Sequence, residues 1–107
     1  MLRQLPLQRF IVEDTSMQPA LRPGDRLLVA RWLGARPGDV IVFHDPEAHT
    51  RFMIKRVLSV RPDGWAIVGG DNPNVSRDSR HLGPVHPGLI VGRAVYRYLP
   101  AKRRGRL

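Results

Sequence analysis

Residues 51–60 read RFMIKRVLSV, and the reading of this run decides the fold. It is rich in β-branched and other apolar side chains, which marks a strand. In a strand, successive side chains point to opposite faces. Lys55 therefore shares its face with Met53 and Val57, an apolar setting for an ammonium group. The choice of residue is informative, because sixteen of the eighteen basic residues are arginine and the only lysines are Lys55 and Lys102. Burial lowers a lysine pKa. Arginine cannot be neutralised at any working pH, whereas lysine can, and a neutral amine accepts a proton from a hydroxyl. The competing reading is a lysine at a sheet edge that snorkels to water.

Outward from this run the pattern repeats. Strands are predicted at Arg9–Glu13, Arg26–Arg31, Asp39–His44, Arg51–Val60, Gly64–Val68 and Leu89–Leu99. Turn signals separate them: RPGD at 22–25 and again at 36–39, DPEAH at 45–49, RPDG at 61–64 and DNPN at 71–74. No stretch keeps a helical period, although Ser16–Leu21 and Ser76–His81 can each form one helical turn. The expected fold is mostly β: a compact antiparallel sheet with a barrel-like or sandwich core and one or two short helical turns. Residues 1–100 are expected to form one domain, and the basic tail 101–107 to be disordered.

The chain has 107 residues, 42% of them hydrophobic, enough for one core. It contains no cysteine, which excludes disulfides, thiolate metal sites and a thiol nucleophile. The formal charge of +9 favours an anionic contact, such as a membrane surface, although an arginine-rich composition alone accounts for it. No run approaches the ~20 apolar residues of a membrane helix. The start, MLRQLPLQRF, lacks a secretory signal core.

A lysine base needs a nucleophile, and the chain has four serines: Ser16, Ser59, Ser76 and Ser79. Ser16 follows a predicted strand and precedes Pro19. Such a junction presents a hydroxyl and aims backbone N–H groups at one point, or it is an ordinary helix cap. The polar stretch GGDNPNVSRDSR, 69–80, can fold back onto a buried amine, with Asp78 and Arg80 pairing to fix it. Alternatively it is a solvated loop.

Taken together and in order, these stretches resemble the signal peptidase I family of Ser-Lys proteases. Ser16-Met17-Gln18-Pro19 is similar to that family's nucleophile motif. The two RPGD turns resemble those that follow it. Lys55-Arg56-Val57 is similar to its Lys-Arg-Val, and Gly70-Asp71-Asn72, Ser76 and Asp78-Ser79-Arg80 resemble its Gly-Asp-Asn…Ser-x-Asp-Ser-Arg box. The resemblance implies a serine endopeptidase without cofactor or metal. Ser16 would be the nucleophile and Lys55 the general base. Ser76 would orient the amine, Asp71 would hold its turn, and Asp78 and Arg80 would brace the box. The backbone N–H of Ser16 would stabilise the oxyanion. The substrate implied is a precursor protein with an N-terminal leader, lying extended along an edge strand near Arg9–Glu13 or Asp39–His44.

Some positions depart from the family pattern. Asp14 stands where the family has Ser or Gly, and an ionised carboxylate donates nothing to an oxyanion. Ala20 replaces the usual Thr, and LSVRPDG replaces the usual continuation of Lys-Arg-Val. The family's N-terminal anchor and large extra β region are absent from these residues. The expectation is thus a cytoplasmic enzyme, at most peripheral at an anionic membrane surface. The short length and the run Leu89–Pro100 resemble the maturation proteases of nickel-type superoxide dismutase. The alternatives are a general signal peptidase acting on secretory preproteins, a basic nucleic-acid-binding module, and the protease half of a self-cleaving repressor. Scattered arginines and 7% aromatics argue against nucleic acid. The lack of a helix-turn-helix region before Ser16 argues against the repressor. His44, Asp45, Glu47 and His49 read as a strand-joining turn rather than a metal site. Trp32 and Trp65 read as core or rim packing, or as groove lining.

Overall fold

A computed structural model describes residues 6–107. Met1–Leu5, half of the stretch read for a secretory signal, lie outside the described residues. The elements are β1 (Leu7–Ile11), β2 (Arg26–Ala30), β3 (Val40–Asp45), β4 (Ala48–Val60), β5 (Ala66–Gly69), α1 (Ser79–Leu82), β6 (Ile90–Leu99) and β7 (Gly105–Arg106). Single 3-10 turns occur at Pro87–Leu89 and Ala101–Arg103. All strand pairings are antiparallel, in the order β1-β2-β6-β3-β4-β5, with β7 on β6. The mostly β expectation holds, and each of the six predicted strands is present with ends shifted by at most three residues. β1 ends before Glu13 because Val12 leaves its ladder. Its N–H donates to Asp25 O at 2.9 Å and its carbonyl accepts from Gly24 N–H at 2.8 Å.

Four consecutive side chains of β3, Val40 to Phe43, are buried. Val40 and Val42 pack with Val12, Met17, Leu21, Leu27 and Val29, while Ile41 and Phe43 pack with Met53, Val57, Val68 and Val85. A strand covered on both faces reads as a continuous apolar run, as VIVF does. The two RPGD segments make equivalent turns. Asp25 N–H donates to Arg22 O and Asp39 N–H to Arg36 O, each at 3.0 Å. Gly24 and Gly38 have φ of 91° and 89°, a region open to glycine and strained for other residues.

The two expected helical turns are present in part. Ser16–Leu21 is a run of turns, one of them closed by the i→i−4 bond from Leu21 N–H to Met17 O, and the turn expected from Ser76 starts at Ser79, capped by Asp78. The tail is ordered. β7 pairs with Tyr96 and Arg97, and Arg103 donates to the buried Asp25 at 2.6 Å. The tail's counter-charge sits 78 residues earlier in the chain, out of reach of a local reading. Trp32 lies on the rim, 63% exposed, and Trp65 packs edge-on to His86.

Candidate active site

The Ser16 turn hangs from the end of β1. Met17 and Leu21, both buried, pin it into the core, and Leu21 N–H donates to Met17 O at 2.9 Å. Lys55 lies mid-way along β4, opposite Ile41 of β3, on the face of Met53 and Val57. The fold brings the two together across 39 residues of sequence: Lys55 Nζ donates to Ser16 Oγ at 2.8 Å. Ser16 is 3% exposed and Lys55 2%. Burial pushes the Lys55 amine below the ordinary lysine value, aided slightly by Arg77, while the carboxylates of Asp14 and Asp78 pull it back up. A hydroxyl beside an amine of lowered basicity can lose its proton to that amine and act as a nucleophile.

The 69–80 loop grips the Ser16 turn from the other side. Asn72 N–H donates to Ser16 O at 2.8 Å, and Asn72 Nδ2 to Thr15 O at 3.4 Å. A Cβ on Gly70 would lie 2.2 Å from Ser76 Oγ and 2.7 Å from Ser16 O, so only glycine fits this approach. Asp71 takes a bidentate bond from Arg56, at 2.9 and 2.7 Å, and Arg56 also donates to Gly38 O. Asp78 accepts from Arg80 N–H and Nε, both at 3.0 Å, and Arg80 donates to Pro73 O at 2.8 Å. Asp78 is buried, and the bonds from Arg80 outweigh its burial to keep its carboxyl below the usual range.

Ser16 and Lys55 therefore meet, and Asp71, Asp78 and Arg80 lie where a bracing role requires. Ser76 does not reach Lys55: its hydroxyl is buried and has no hydrogen-bond partner among the described residues. Three contributors were not assigned roles from sequence: Gly70, Asn72 and Arg56. The Gly-Asp-Asn and Lys-Arg-Val motifs carried the signal for all three. Asp14 was noted only as a lost donor. In the structure it is an acceptor, taking Ser16 N–H at 3.0 Å and Ser16 Oγ–H at 2.8 Å on the same oxygen.

A groove of about 740 Å³ runs up to this pair, with β1 and residues Val12–Asp14 on one wall and Thr50–Lys55 on the other. Among the described residues β1 pairs only with β2, and β4 meets β5 only from Arg56 onward, so both walls present free strand edges. An extended peptide fits between such edges. The expectation of a substrate along Asp39–His44 is corrected, because β3 is paired on both sides by β4 and β6. The 44–49 segment is the β3–β4 turn. Its Asp45 is 1% exposed and its carboxyl is held below the usual range by hydrogen bonding from Arg77, which donates at 2.8 Å.

The family described as "Signal peptidase, peptidase S26" matches residues 1–64, a span that includes Ser16 and Lys55. The mitochondrial ATP-independent inner membrane protease subunit 1b of Arabidopsis thaliana is 34% identical, over 86% of this chain and 70% of its own. The mitochondrial inner membrane protease subunit 2 of Schizosaccharomyces pombe is 32% identical, over 90% and 67%. The probable signal peptidase I-1 of Synechocystis sp. is 31% identical, over 92% and 74%.

Proposed function

The chain belongs to the peptidase S26 family of signal peptidases and is a serine endopeptidase that removes leader peptides from precursor proteins, and we propose that Ser16 and Lys55 are its catalytic dyad. The observation that carries this is the 2.8 Å contact between two buried side chains, a hydroxyl and an amine that burial makes easier to neutralise. The substrate lies extended in the groove, bonded through its main chain to β1 and to Thr50–Lys55. Ser16 Oγ attacks the scissile carbonyl and its proton passes to Lys55 Nζ. The charge on the carbonyl oxygen is held by Ser16 N–H. The C–N bond breaks as Lys55 returns the proton to the leaving amine, and a water deprotonated by Lys55 releases the acyl group. Asp71, Asp78 and Arg80 position the loop against the nucleophile.

The precursor we propose is a nickel-type superoxide dismutase whose leader must be cut to free the metal-binding N-terminus. The support is the resemblance to its maturation proteases of the run Leu89–Pro100, of which Ile90–Leu99 form β6, the strand joining β2 to β3. Incubating that precursor with purified protein should yield one new N-terminus, read by mass spectrometry, and Ser16→Ala should yield none. A precursor left intact while a secretory preprotein is cut would favour general signal peptidase work. That second reading has its own support. Ile11, Phe52 and Val75 line the groove with 46–57% exposure, and two of the relatives named above are inner membrane proteases. On either reading the enzyme works at a membrane surface or beside it, and no helix of the described residues is long and apolar enough to cross one. Fractionation of cells, with and without a high-salt wash, tests the location.

A further inference from the structure

We propose that Asp14 is a resident occupant of the oxyanion site, which the substrate carbonyl must displace before Ser16 can attack. The proposal rests on the dyad reading above. It starts from a conflict on one donor. In that reading the N–H of Ser16 receives the carbonyl oxygen of the substrate, yet here it donates to Asp14 Oδ1 at 3.0 Å. The same oxygen accepts the hydroxyl proton of Ser16 at 2.8 Å. A carboxylate oxygen thus fills the position of a developing oxyanion, and also draws the nucleophile's proton away from Lys55. Lys55 Nζ, 2.8 Å away on the other side of Oγ, is left as a donor to Ser16 rather than an acceptor from it.

The surroundings fit a group that covers the nucleophile and can leave. Asp14 is exposed and lines the groove together with Met17 and Lys55, whereas Ser16 keeps only 3% of its surface. Rotation of the Asp14 side chain into the groove frees both Ser16 bonds with no change of the buried turn. Charges around the amine are Asp14, Asp78 and Arg77, and the groove beyond carries Arg9, Glu13 and Arg51. Of these, Asp14 is the carboxylate with the largest upward pull on Lys55. Asp14 therefore acts twice on the resting enzyme: it occupies the donor and it favours the charged amine.

The test compares wild type, Asp14→Ala and Asp14→Asn in cleaving an internally quenched peptide with alanines just before the cut. Asp14→Ala should raise kcat/KM by roughly tenfold or more, because a charge-assisted hydrogen bond no longer has to be broken. Its acid limb should move to lower pH, since loss of the carboxylate lowers the Lys55 pKa further. Asp14→Asn keeps the shape and loses the charge, so it should move the limb the same way. The Ser16 amide proton, followed by NMR, should shift upfield in Asp14→Ala as its carboxylate partner disappears. A variant slower than wild type, or an unmoved limb, or an unmoved amide proton overturns the proposal. Cleavage that survives in Ser16→Ala overturns the dyad itself, so the two failures are told apart.

Discussion

At the scale of single residues, the proposed dyad uses lysine where a proton must come and go, a role closed to arginine because it stays charged. Lys55→Met keeps the length of the stem and removes the base. Cleavage should fall by about 10³-fold or more, because members of such a unit act together. The fold should persist, since an apolar side chain replaces a buried amine. The pH dependence of stability checks the same group. Its native pKa is lowered, so between that value and the ordinary lysine value of 10.5 the unfolded chain binds more protons than the folded one. The burial penalty is fully present below the native pKa and fades as pH rises toward the unfolded value. Wild-type stability should therefore climb with pH relative to Lys55→Met in that window, and parallel melting curves at every pH would contradict it. Ser76→Ala should raise stability in urea unfolding, by about 1 kcal/mol, because it removes a buried hydroxyl that has no partner to offset its desolvation.

At the scale of elements, the loop between β5 and α1 is a clamp on the nucleophile turn. Gly70→Ala tests it. A methyl group 2.2 Å from Ser76 Oγ and 2.7 Å from Ser16 O must push one of them away. We expect about 1–3 kcal/mol of destabilisation from overpacking, read by chemical denaturation. Activity should fall about 10²-fold, since displacing the nucleophile by an ångström is enough. How much of this was legible varies by element. The strands were readable because each carries its own apolar side chains between turn formers. The end of β1 was not readable, because Val12 bonds to Asp25 and Gly24 rather than to its neighbours in the ladder. Nor was the choice of substrate edge, because which strand is interior depends on pairings between distant segments.

At the scale of the whole molecule, at least seven of the sixteen arginines pair with carboxylates that brace turns and loops. Arg36 and Arg93 pair with Asp39, Arg56 with Asp71, Arg77 with Asp45 and Glu47, and Arg80 with Asp78. Arg97 and Arg103 converge on Asp25, which is 2% exposed and also accepts Arg22 N–H. This knot ties the C-terminal tail to the turn that follows the nucleophile. Ending the chain at Pro100 removes Arg103 and β7 and leaves the buried Asp25 with one cation fewer. Stability should fall by roughly 3 kcal/mol in urea unfolding. A truncated chain that unfolds at the same urea concentration would show that the tail adds nothing.

By itself the sequence determined the strands, their turns and the family motifs that put forward Ser16 and Lys55 as the proposed dyad, because each of these is written in residues close together. Only the tertiary structure decided what surrounds them: that Lys55 reaches Ser16, that Ser76 stands unpaired among the described residues, and that the tail folds onto Asp25. Those outcomes turn on which donor and acceptor finish within about 3 Å of each other. Segments brought together from 39 to 78 positions apart set that distance, and no local pattern encodes it.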